Sequence, residues 1–358
     1  MEQTLKSEKP VFLEITKEQS ERINIYKAFL AIMVVFIHAY PEKDGLLLSD
    51  MNYVDVIQYI ISQIICRCAV PAYFFLSALF LYRKPFNYKT NLVRKLKTLG
   101  IPYLIMNTVW IVFFLLVKFV PVIGGLVNTD VSSWGLFDFL DAYLGFENGS
   151  PILYPLWFIR DLLVLNVLAS VVGKIVEKIP VVSVFVAFLL WLLVPETGLF
   201  FLSMSAIVFW VFGCAVCKIS FDIAKFDKIP VWLISVVYLL CLIADSFTVT
   251  LKFGFVFHNV CIVIGMLFWY VCTKILMQTR IKKILLTVST YSFGIYIFHE
   301  MSLTLFKKVC AKILPDGTIF SLLQYFVIPI IIIVGCIILS MLLKRFVPAL
   351  YKLLTGSR

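Results

Sequence analysis

The sequence predicts an all-α, polytopic integral membrane protein with about ten transmembrane helices and both termini cytoplasmic. Three observations predict it. Of the 358 residues, 61% are apolar and only 15% charged, and mean hydropathy is +0.98; soluble domains run at about 45–50% apolar and about 25% charged. The apolar residues come in runs of about twenty, the length that crosses a bilayer as a helix, and not in the alternating ten-residue segments of an outer-membrane barrel. The 32 Lys and Arg gather in alternate connections between those runs, as the positive-inside rule requires. A soluble fold, a disordered chain and a disulfide-built secreted scaffold are excluded.

Residues 1–22 are polar and form a cytoplasmic tail, and residues 23–343 form the transmembrane domain. The first run, about 23–41, follows that mixed-charge tail and lacks a small-residue cleavage site, so it reads as a retained span. The second, about 57–82, ends at a basic connection holding Arg83, Lys84, Lys89, Arg94, Lys95 and Lys97. The third covers about 100–120. An outer loop follows, about 121–151, in which Trp134, Phe137, Phe139, Leu140 and Tyr143 pattern as an interfacial amphipathic segment. The fourth run is about 152–173. The fifth and sixth, about 180–195 and 199–217, are parted only by the turn at Pro195, Glu196 and Thr197. The remaining four lie at about 230–247, 256–275, 284–306 and 321–343, and residues 344–358 form a cytoplasmic C-terminal tail.

With the N-terminus inside, most of the basic residues fall on the cytoplasmic side. The outer loops instead carry Glu42, Asp44, Asp50, Asp130, Asp138, Asp141 and Glu147. The net charge of +11 therefore reports topology and contact with anionic membrane lipid, not nucleic acid. The nine cysteines lie mostly inside apolar runs. Cys214 and Cys217 form a C-x-x-C with no second pair, so they read as packing residues. Asn148-Gly149-Ser150 matches a glycosylation sequon, a cheap pattern. No carboxylate–histidine cluster of ligand spacing occurs, and no metal is expected.

An ionisable side chain inside a span is costly and marks a site. Lys27 stands near the inner start of span one and His38 near its outer end. Arg67 lies within span two, Arg160 and Asp161 within span four, His299 and Glu300 within span nine. All but Lys27 fall in the outer half, which predicts one shared polar chamber. Lys27 and His38 are eleven positions apart; at about 100° and 1.5 Å per residue they share a helix face, roughly 16 Å apart. A cation below and an imidazole above suit a long, phosphate-bearing donor entering from the cytoplasm. Lys27 alone also reads as a snorkelling anchor, Arg67 with Asp161 as a structural ion pair, and Trp157 with Tyr154 and Phe158 as an interfacial aromatic belt or the lining of a pocket.

Five blocks, in order, resemble the acyltransferase 3 family of integral membrane O-acyltransferases, including its surface-polysaccharide O-acetyltransferase and O-succinyltransferase branch. Lys27, ten apolar positions and His38 resemble its first span. Arg67 with Val70-Pro71-Ala72-Tyr73-Phe74-Phe75-Leu76-Ser77 resembles its second. Val93-Arg94-Lys95-Leu96 before Ile101-Pro102-Tyr103 resembles its basic loop. Leu156-Trp157-Phe158-Ile159-Arg160-Asp161-Leu162-Leu163 and Ser292-Phe293-Gly294-Ile295-Tyr296-Ile297-Phe298-His299 resemble its later blocks. Lys27 stands where arginine is usual and Ala78 where glycine is usual.

The resemblance implies transfer of an acetyl or succinyl group from cytoplasmic acyl-CoA to a hydroxyl of an extracytoplasmic surface glycan, free or lipid-linked, at a bacterial plasma membrane. It implies His38 as general base, Arg67 and then Arg160 as oxyanion donors, and Asp161 as a partner that orients an arginine. Lys27, Arg94, Lys95 and Lys97 would hold the coenzyme's phosphates, and Trp157, His299 and Glu300 would line the substrate side. The competing class is a transporter or flippase for a polar glycan or lipid, since intramembrane charges suit it as well.

Overall fold

A computed structural model describes residues 13–40, 51–117, 119, 131–147, 149–193, 202–313 and 317–356. The expected acidic residues Glu42, Asp44, Asp50 and Asp130, Asn148 of the sequon, and the turn at 195–197 lie outside them. The described chain is helical: α1 Lys17–Ala39, α2 Tyr53–Tyr82, α3 Tyr88–Val117, α4 Leu136–Leu144, α5 Tyr154–Lys178, α6 Pro180–Leu193, α7 Met204–Lys218, α8 Val231–Thr248, α9 Gly254–Leu276, α10 Lys282–Thr290, α11 Ser292–Ile313, α12 Thr318–Phe346 and α13 Pro348–Thr355. Seven of these (α1, α2, α3, α5, α8, α9 and α12) are long and apolar enough to cross a membrane. Shorter apolar helices, α6 and α7, occupy the fifth and sixth expected runs.

Helix α1 starts at Thr16, whose hydroxyl accepts from the Gln19 amide while the Gln19 side chain accepts from the Thr16 N–H, a reciprocal cap that satisfies two otherwise orphan donors. It packs against α2, α9, α10, α11 and α12, and this central placement is what lets one helix carry a site from end to end.

Prolines shape the second and third spans. Pro71 has no N–H to offer the carbonyl four residues back, and its ring crowds that carbonyl. The chain before it widens to a π-helix at Ile60–Ile65 and tightens to a 3₁₀ turn at Cys66–Cys68. Pro102 follows a second π-helix, Leu96–Gly100. Because that π segment joins without a break to Tyr88–Lys95, the third helix begins earlier than the expected run at residue 100 and takes in Arg94, Lys95 and Lys97.

The ninth run is two helices, not one. The chain breaks at Tyr291 between α10 and α11, just after the Thr290 hydroxyl bonds back to the Leu286 carbonyl. The predicted C-terminal tail contains a docked helix, α13, with Tyr351, Leu354 and Thr355 buried. Gly356 ends it at φ +66°, where a Cβ would stand 2.0 Å from the Thr98 carbonyl oxygen. Only glycine adopts that turn so close to another backbone. The amphipathic segment expected in the outer loop is α4, with Leu136, Phe137 and Leu140 exposed.

Candidate active site

The site is a cavity of about 570 Å³ bounded by α1, α2, α3, α5, α10 and α11. Lys27 and His38 both line it, so the helix-face arithmetic holds in three dimensions and the cavity runs along the C-terminal half of α1. Arg94 and Lys95 join Lys27 on its wall. Ala31, Val34, Val35 and Leu162 line the stretch between, an apolar section in which a charged group would be costly. Trp157, Phe158, Tyr296 and His299 line it with His38. The break at Tyr291 has a use here: Ser289, Thr290 and Ser292 also face the cavity, since irregular backbone within a membrane protein is tolerated where it lines one.

The basic wall is anchored. The Tyr73 hydroxyl donates to the Lys27 carbonyl oxygen at 2.8 Å. Arg94 donates to Asn91 at 2.9 Å, and Asn91 in turn donates to Asn166 of α5 at 3.1 Å. Lys97 is exposed and is not on the cavity wall. Arg22, five residues before Lys27, is buried among Asp227, Thr273 and the Tyr270 ring. It fastens the start of α1 to α9 and the loop before α8.

At the other end, His38 Nδ1 lies 2.6 Å from the Tyr154 hydroxyl, which stands 3.1 Å from Glu300 Oε2. Glu300 is buried, and its other oxygen accepts from the Thr304 hydroxyl at 2.7 Å. The His38 and His299 rings lie 5.2 Å apart. Nδ1 of His299 faces the Ile295 and Tyr296 carbonyls at 3.1 and 2.9 Å, so it must carry the hydrogen. That leaves Nε2 as a bare acceptor, buried and without a partner among the described residues. Lys307 Nζ donates to the Ala39 carbonyl at 3.0 Å, a cation at the negative end of α1.

Three expectations are corrected by this geometry. Arg67 does not line the cavity; it is exposed and donates to Gln63 one turn back, because the irregular turn before Pro71 points it away. Arg160 is not on the wall either. It is held by Asp161 at 3.1 Å and by the Leu144 and Gly149 carbonyls at 2.9 and 3.1 Å, so it pins the loop after α4. Asp161, considered as the counter-charge of Arg67, is fully buried against Arg160 and the Ser203 N–H. The pair is adjacent in sequence and sits where no water competes, which makes it the cheaper way to bury both charges. The fold also makes a carboxylate–histidine cluster the sequence does not show: His38, His299 and Glu300 bring ligand atoms within 4.8 Å of one another. These are the described residues that could hold a metal ion, but Tyr154 and Thr304 already satisfy His38 Nδ1 and both Glu300 oxygens.

Tyr154, Thr304 and Lys307 were missed by sequence reasoning. For Tyr154 the sequence leaves belt and pocket lining open and does not show its contact with His38. Thr304 could have been found, because it stands four residues after Glu300, on the same helix face.

A family model described as an acyltransferase domain, acyltransferase 3, matches residues 20–345. The chain belongs to the acyltransferase 3 family. It is an integral membrane acyltransferase. It is similar to the succinoglycan biosynthesis protein ExoH of Rhizobium meliloti (strain 1021), at 25% identity over 359 aligned residues covering 95% of this chain and 92% of that protein. No solved structure matches it. The matched range takes in the whole cavity, from Lys27 to His299; Glu300, expected on the substrate side, stands behind the wall and reaches His38 through Tyr154.

Proposed function

We propose that this acyltransferase moves an acetyl or succinyl group from cytoplasmic acyl-CoA to a hydroxyl of a cell-surface glycan outside a bacterial plasma membrane. The observation that carries the reading is the single cavity joining Lys27, Arg94 and Lys95 to His38 and His299. The pantetheine arm has about twelve bonds between its phosphate-ester oxygen and its sulfur, roughly 14 Å at the pitch of an extended chain. The rise from Lys27 to His38 is about 16 Å. A donor with its phosphates on the basic wall, and with Lys97 beyond the mouth, would thus present its thioester at His38. The similarity to a succinoglycan biosynthesis protein supports a polysaccharide acceptor, which would approach past Trp157 and His299.

In this reading His38 takes the proton of the acceptor hydroxyl as its oxygen attacks the thioester carbonyl carbon. The tetrahedral centre collapses with loss of the sulfur, and His38 returns the proton to it, leaving an ester and free coenzyme A. His299 Nε2, a buried acceptor lacking a donor, would receive a second hydroxyl of the acceptor and orient it. A flippase would share the polar chamber but consume no thioester. The test incubates radiolabelled acetyl-CoA or succinyl-CoA with inside-out vesicles and follows label into polysaccharide. Label should appear with the wild type and vanish with His38→Ala. Glycan movement without label transfer would favour the flippase.

A further inference from the structure

We propose that Tyr154 and Glu300 are the positioning residues of His38, forming a relay His38–Tyr154–Glu300, closed by Thr304, that fixes the tautomer of the base and holds its charge after proton pick-up. The inference rests on the reading of His38 as the base and assigns the machinery around it.

The argument begins with proton counting. An ionised carboxylate only accepts, and a phenol has one proton to give. With Glu300 Oε2 3.1 Å from the Tyr154 hydroxyl, that proton goes to Glu300. The phenol oxygen is then an acceptor toward His38 Nδ1 at 2.6 Å, so Nδ1 carries the imidazole hydrogen. Nε2 is left with its lone pair, which is the atom a general base needs. Thr304 donates to Glu300 Oε1 at 2.7 Å and prevents the carboxylate from turning away. The chain of donors therefore runs one way: Nδ1–H to phenol oxygen, phenol O–H to carboxylate, threonine O–H to the far carboxylate oxygen.

The same chain handles charge. When Nε2 takes the hydroxyl proton, His38 becomes a cation with Nδ1–H already aimed at the phenol. Glu300 Oε2 is 3.9 Å from Nδ1, close enough to attract the imidazolium through a medium of low dielectric. No proton has to cross the relay: Nδ1 and Tyr154 keep theirs throughout, and the proton on Nε2 goes on to the departing sulfur. The charged and titratable groups packed around His38 are Glu300, His299, Tyr154 and Lys307, and the Arg67 guanidinium acts on it from outside the cavity. Glu300 is the acidic member of that set, so it alone opposes the two cations. His299 has a different assignment, since its Nδ1 is pinned to main-chain carbonyls with no carboxylate behind them.

The experiment compares purified full-length wild type, Tyr154→Phe, Glu300→Gln, Thr304→Val and His38→Ala for acyl-CoA turnover and donor KM across pH. Glu300→Gln keeps the shape and removes the charge. We expect kcat to fall about 10- to 100-fold in Tyr154→Phe and Glu300→Gln, with donor KM unchanged. The sign of the pH effect follows from the charge: without the carboxylate the imidazolium is less favoured, so the acid limb of the kcat profile in Glu300→Gln moves to lower pH. Thr304→Val, which leaves the charge in place, should show a smaller fall and no movement of that limb. A merely structural role would lower the yield of folded protein or raise KM without moving the limb, and that result overturns the relay. Unaltered kcat in Tyr154→Phe overturns it as well; should Glu300→Gln not fold, the decision passes to Tyr154→Phe and Thr304→Val. Loss of activity in His38→Ala with wild-type behaviour in the other variants would sink the relay and spare the proposed function. Absence of turnover in the wild type would sink both.

Discussion

At the residue scale, the ionisable groups within the helices divide by what holds them. Arg160 and Asp161 hold each other and two neighbouring segments. Removing one member leaves the other buried and unpaired, which costs about 3–5 kcal/mol. Arg160→Ala is therefore expected to lower the thermal unfolding midpoint of the detergent-purified protein sharply, and unfolding at the wild-type temperature would refute the structural assignment. Lys27 lines the cavity, about 16 Å of helix rise from His38. Lys27→Ala should weaken coenzyme A binding about tenfold, the scale of one charge-assisted hydrogen bond, as read by isothermal titration. Unchanged affinity would return Lys27 to the role of a snorkelling anchor. The depth of these residues was legible in the sequence, because it follows from counting along apolar runs. Their partners were not: nothing in residues 60–71 says that the turn before Pro71 aims Arg67 off the cavity.

At the element scale, the fit of α2 to α7 decides the shape of the cavity wall. Gly213 of α7 faces α2 so closely that a Cβ would lie 2.5 Å from the Phe75 carbonyl oxygen and 2.8 Å from the Ala78 Cβ. Ala78 stands where the family pattern has glycine, and Gly213 supplies the missing room from the opposite helix. Gly213→Ala should thus destabilise by about 1–3 kcal/mol, the range for overpacking. It should also disturb the wall formed by Tyr73, Leu76 and Ser77; a variant equal to wild type in midpoint and turnover would contradict this. The run at 284–306 shows why element boundaries were less legible than element existence. Apolar content alone reads as one span, and hydropathy does not register the break at Tyr291.

At the scale of the whole molecule, charge and apolar length set the arrangement. The uneven spread of Lys and Arg predicts the basic stretch of α3 inside and α4 outside. Single cysteines introduced at Lys84 and at Phe137, in a background lacking the native cysteines, should react with an impermeant maleimide from opposite sides of the membrane. Labelling of both from one side would overturn the topology. The C-terminal helix α13 packs on α3, so the segment read as a tail belongs to the basic end of the molecule.

The sequence by itself determined the membrane class, the helices and their approximate limits, the blocks that place the chain in its family, and the shared face of Lys27 and His38. The class, the helices and the shared face follow from composition or from the 3.6-residue period, and the family from the residues of the blocks themselves, all properties of single segments. Only the tertiary structure decided that Tyr154 and Glu300 meet His38, that Asp161 takes Arg160, and that Arg67 turns aside. Lipid tails and helix interiors are equally apolar. A hydrophobic pattern therefore tells a helix to enter the membrane without telling it which neighbour to face, and that choice is made by close packing of small residues and by buried polar groups finding partners.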